Sequence, residues 1–75
     1  PPPVLSTKDD AYLTDALSWE LLAAKKAYSF ACQCSDQQVK HQLEQLSQLH
    51  QTHYHALLSH LSPNDYDNQN YQQFN

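Results

Sequence analysis

The sequence predicts an all-α protein: one long antiparallel helical hairpin, pairing with a second copy as a dimeric four-helix bundle. Three observations carry this. The 75-residue chain contains no glycine. Its four prolines are confined to positions 1–3 and 63, so they fall outside the long middle of the chain. Between them, alanine and leucine recur at the 3-4 spacing of a helix with one apolar face.

The elements follow in order. Pro1-Pro2-Pro3 lacks the amide hydrogens that open a helix, and residues 1–7 read as an extended arm. Ser6 or Thr7 supplies an N-cap, and Asp9 and Asp10 place negative charge in the first turn, where the helix dipole favours it. The first helix is predicted over about 8–34. Ser35-Asp36-Gln37-Gln38 reads as a capping box, the Ser35 hydroxyl accepting from the Gln38 amide. That restarts the chain as a second helix over about 36–61, closed by Ser62-Pro63-Asn64. Residues 8–61 thus form the hairpin, and 62–75 form a polar tail carrying Tyr66, Tyr71 and Phe74 as candidate partner contacts.

Composition narrows the function classes. A single core of this size requires a disulfide, a metal or a partner subunit. Cys32 and Cys34, two residues apart, have the spacing neither of a zinc knuckle nor of a disulfide framework. Four lysines against eight acidic residues, for a net charge of −4, leave no basic patch, so nucleic acid and anionic membrane surfaces are not expected partners. No apolar run approaches the roughly 20 residues that span a bilayer. Without glycine there is no phosphate loop or nucleophile elbow, which favours a non-enzymatic protein.

The predicted seam of helix 1 collects Leu13, Leu17, Glu20, Ala24, Ala27, Ala31 and Cys34. That of helix 2 collects Val39, Leu43, Leu46, His50, His53, Leu57 and His60. Both are apolar except for Glu20 and the histidines. If the chain folds back at Cys34 and Ser35, Glu20 lies level with Leu49 and His50, and His53 follows one turn, about 5 Å, further along. A carboxylate and two imidazoles in a seam must be satisfied, because an unpaired buried polar group costs about 1–3 kcal/mol. Two arrangements would do it: a metal-free polar layer that sets helix register, or a transition metal, zinc or iron, held by Glu20, His50 and His53. His41 and His55 fall off the seam and are expected in solvent. Trp19 is expected at the side of the bundle or in a contact with a partner.

Asp15 to Glu20 (DALSWE), Tyr28-Ser29-Phe30, Cys34 to Leu43 (CSDQQVKHQL) and Leu49 to Leu61 (LHQTHYHALLSHL) together resemble the coat F family. These are small spore-coat-associated proteins of endospore-forming bacteria with a ferritin-like helical hairpin. The resemblance spans about Lys8 to Leu61. It matches Glu20 to the family's helix-1 glutamate, Tyr28 to its helix-1 aromatic and His50 to its helix-2 histidine. It departs where family members commonly carry an acidic residue, here Leu49, and where they often carry proline, here Gln37. The first departure leaves His50-Gln51-Thr52-His53 where a Glu-x-x-His would stand, which weighs against oxidase-type di-iron chemistry. What the resemblance implies is a structural or assembly protein, intracellular in an endospore-forming bacterium and placed in the spore coat. Its partners would be a second copy and other coat proteins; the alternative is a metal-binding bundle with storage or redox chemistry.

Overall fold

A computed structural model describes residues 4–61. It contains α1 (Thr7–Gln33) and α2 (Gln37–Leu58), packed against one another as an antiparallel hairpin. With 27 and 22 residues, the helices run about 40 and 33 Å. No strand occurs among the described residues, and neither helix is long and apolar enough to cross a membrane. Residues 1–3 of the expected arm, and the expected tail with Tyr66, Tyr71 and Phe74, lie outside the described residues.

The start of α1 is set by Ser6, which sits in extended conformation (φ −70°, ψ 165°) and accepts from the Asp9 amide at 3.0 Å. The hydroxyl satisfies an amide that has no partner within the helix. At the far end the backbone turns extended at Cys34, and the Cys34 amide closes the last turn on the Ala31 carbonyl. The restart differs from expectation by one residue. Asp36, not Ser35, is the N-cap: its Oδ1 accepts from the Val39 amide at 2.9 Å. A carboxylate at this position also meets the positive end of the helix dipole, which a hydroxyl does not. Helix α2 ends at Leu58, and Ser59 to Leu61 continue as a tightened turn bonded to carbonyls three and four residues back.

The interface between the helices changes character along its length. Nearest the turn it is lined by Ala24, Ala27 and Ala31, all buried, and by Ser47 of α2. Small side chains here let the two backbones approach closely. Toward the open end Leu17, Tyr54, Leu58 and Leu61 form the buried cluster, with Leu13, Leu21 and Leu57 packed against it. Glu20 and His50 lie between these two halves.

On α1 the observed seam coincides with the expected one: Leu13, Leu17, Glu20, Ala24, Ala27, Ala31 and Cys34 are all buried or half-buried. On α2 it requires correction. Leu43, His50 and Leu57 are on the seam, but the positions between them are Ser47, Tyr54 and Leu61 rather than Leu46, His53 and His60, and Lys40 replaces Val39. Val39 and Leu46 are 49% and 42% exposed. The cause is steric and polar fit. Opposite the fully buried Ala24 there is room for a serine, and Ser47 Oγ donates to the Ala24 carbonyl at 2.8 Å. The true seam keeps the same alternation of three and four residues in the opposite phase.

Candidate functional site

Glu20 is at the middle of α1, in a seam position that alanine or leucine occupies on either side. Its carboxylate is 23% exposed and reaches across to α2. His50 Nδ1 lies 2.6 Å from Glu20 Oε1, and His53 Nδ1 lies 3.4 Å from Glu20 Oε2. A carboxylate only accepts, so the shorter contact fixes the proton of His50 on Nδ1. The side chain of His50 is 26% exposed and that of His53 45%, so the cluster opens outward from a half-buried base.

Helical spacing explains the convergence. Three residues apart on α2, the two imidazoles share a face one turn apart. Their ring centroids are 5.8 Å apart with planes at 85°, an edge-to-face pair. Each of the three residues offers one ligand atom, and these atoms all lie within 4.8 Å of one another. The sequence reading thus brings together the same three residues that the structure does, although His53 lies beside the hairpin interface rather than within it.

The electrostatics are those of a paired carboxylate. The hydrogen bond from His50 lowers the Glu20 pKa from its ordinary value of 4.5; burial pushes the other way, and the charges of His50 and His53 add to the lowering. Glu20 is therefore an anion over the whole neutral range. Among the described residues no buried side-chain nitrogen or oxygen is left without a partner, so the layer is satisfied.

The other expected residues are placed as follows. His41, His55 and His60 are exposed, and His55 lies edge-on to the Tyr54 ring with centroids 5.6 Å apart. Trp19 is 71% exposed, on the flank of α1 next to Glu20. Cys32 is exposed, and Cys34 is half-buried with its thiol directed to the Asp36 carbonyl. Among the described residues, both ion pairs between side chains centre on Glu20.

Sequence reasoning passed over two residues on α2. Ser47 and Tyr54 are absent from the predicted seam, yet both are buried. A usable signal was present: 43, 47, 50, 54, 57 and 61 make an unbroken 3-4 series, and it sets Ser47, the smallest residue of the series, against an alanine-lined stretch.

Fold and site define an antiparallel helical hairpin that carries a Glu-His-His cluster at mid-height. The chain is 51% identical over 63 residues to the uncharacterized protein YuzM of Bacillus subtilis (strain 168), covering 84% of this chain and 78% of that relative. It belongs to the same family as YuzM. No family model and no solved structure matches the chain.

Proposed function

We propose that the protein is a non-enzymatic assembly protein that works as a homodimer, two hairpins pairing as a four-helix bundle, of the kind found in the coat F spore-coat proteins. One observation carries the dimer: a broad apolar face that the hairpin leaves uncovered. At about 100° per residue, Tyr12, Ala16, Trp19, Ala23 and Phe30 form a stripe about 100° away from the one facing α2. On α2, Val39 and Leu46 are displaced from the seam by about 60–80° in the same rotational sense. Because the helices are antiparallel, both stripes emerge on one side of the hairpin. Tyr12, Trp19, Phe30, Val39 and Leu46 are all exposed there.

Among the described residues Leu58 is the one large side chain fully buried, a small core to oppose the entropy of ordering two long helices. Pairing through the exposed face supplies the missing burial, and a two-fold arrangement is the commonest closed solution. The spore-coat setting is supported by the resemblance of residues 8–61 and by a relative in Bacillus subtilis, an endospore former. In this reading the protein acts inside the sporulating cell, at the coat, with other coat proteins as neighbours.

Light scattering of the full chain at micromolar concentration tests the dimer; a monomer throughout that range overturns it. A fluorescent fusion followed through sporulation tests the setting. Signal that gathers on the forming coat supports it, whereas signal that stays diffuse removes the coat assignment and leaves the dimer standing.

A further inference from the structure

We propose that Glu20, His50 and His53 form a mononuclear site for a divalent transition-metal ion of the zinc class, complete within one hairpin. This goes beyond the assembly reading and does not depend on it. The donors come from facing helices of the same chain, so a monomer holds all three.

The donor chemistry selects the class of ion. Two imidazoles and one carboxylate suit zinc and its first-row neighbours. Magnesium and calcium require more oxygen ligands than a single carboxylate gives. With one carboxylate present there is no second to bridge a pair of metals, so the set fits a single ion.

The geometry is close to what such an ion needs. Bonds of about 2.0–2.1 Å in a tetrahedron place the ligand atoms about 3.4 Å apart. The ligand atoms here lie within 4.8 Å of one another, and the His53 contact to Glu20 is 3.4 Å. The His50 contact, at 2.6 Å, is that of a hydrogen bond and opens when an ion replaces the proton between the two atoms. These are side-chain rotations that leave the helices where they are. His53, 45% exposed, leaves the outer side of the cluster accessible, where a water would take the fourth position.

Two further features favour a ligand set over a coincidence of polar residues. Glu20 occupies a seam position between Leu17 and Ala24, where an apolar residue would pack without any need for partners. Its two carboxylate oxygens each face a different imidazole, so the carboxylate engages both rather than forming a single pair.

The test titrates Co(II), and then Zn(II) in competition, into tag-free full-length protein that has never met a nickel column. One Co(II) per chain, with the intense visible absorption of a tetrahedral site and displacement by Zn(II), is the expected result. His53→Ala and Glu20→Gln, checked for retained helix by circular dichroism, should each weaken Co(II) binding by more than the roughly 10–100-fold that loss of an outer hydrogen bond costs a metal site. His41→Ala should leave it unchanged. Absence of binding to folded protein overturns the site, as does binding that survives His53→Ala and Glu20→Gln. Light scattering on the same samples separates the two readings: a metal-binding monomer retains the site and removes the dimer, and a metal-free dimer does the reverse.

Discussion

Ser47 Oγ donates to the Ala24 carbonyl at 2.8 Å, joining the two helices at a point where both residues are buried. The carbonyl belongs to a helical turn, so the serine adds a partner to it, and Gln51 Nε2 in turn donates to the same hydroxyl at 3.3 Å. Ser47→Ala removes both hydrogen bonds of the hydroxyl without changing the spacing, and loss of the buried one to Ala24 should itself cost about 0.5–1.5 kcal/mol. Ser47→Leu forces extra volume against Ala24 and should cost about 1–3 kcal/mol or more. Urea denaturation of both variants checks the order; a leucine variant as stable as the parent would show that the helices do not approach closely here.

Lys40 Nζ donates to the Ala31 carbonyl at 3.0 Å, across the turn. Helix α1 has no basic residue in its own last turn, so the second helix supplies the cation that the negative end of the dipole favours. Lys40→Gln should lower stability by about 0.3–1 kcal/mol, less in high salt, because the interaction is partly solvent-screened. A loss independent of salt would point instead to packing of the lysine stem.

In metal-free protein, His50→Leu takes the nearest donor away from a half-buried carboxylate, and a destabilisation of about 1–3 kcal/mol is expected. Replacing Glu20, His50 and His53 together with leucine removes the need for partners. That triple variant should be neutral or more stable by about 1–4 kcal/mol. Chemical denaturation compares them; a triple variant less stable than His50→Leu alone would mean the polar layer stabilises the fold outright.

Stability should also depend on pH through Glu20. Its pKa is lowered on folding, so the unfolded chain binds its proton first as pH falls. The contribution is fully present above the unfolded value near 4.5 and is lost as pH drops through the lower folded value. In metal-free protein, the parent should lose stability relative to Glu20→Gln over that acid interval. Parallel stability curves for the two proteins down to pH 3 would contradict this.

Association should respond to the exposed face and not to the seam. Leu46→Glu and Trp19→Lys place charges on the uncovered side without disturbing hairpin contacts, and each should weaken self-association by at least about tenfold, or about 1.4 kcal/mol. The same change at Leu22, exposed on a different side of α1, should have little effect. Sedimentation over a concentration series distinguishes these outcomes.

Much of the hairpin was legible in the sequence because its determinants are local. Ser6, Asp9 and Asp10 mark the start of α1, and the glycine-free, alanine-rich run that follows has no competing conformation. The seam of α1 could be read because every position is apolar except Glu20, and Glu20 announced the site. On α2 the pattern is degenerate: leucines and histidines fit two phases of the same repeat, and hydrophobicity alone favours the wrong one. The choice depends on a tertiary fact, the small space opposite Ala24, which admits Ser47 and turns Leu46 outward. The one-residue shift of the cap from Ser35 to Asp36 has a similar origin, since both residue types cap helices and only the geometry of the turn selects between them.

In the connection between the helices, Cys34 to Asp36, both end residues are extended and no residue among those described is at positive φ. Because it asks nothing of glycine and exposes Ser35, this reversal is a natural point for grafting. An inserted peptide there would lengthen a loop whose closure entropy grows only slowly with length. Both helices would keep the caps and the cross-turn lysine that define their ends.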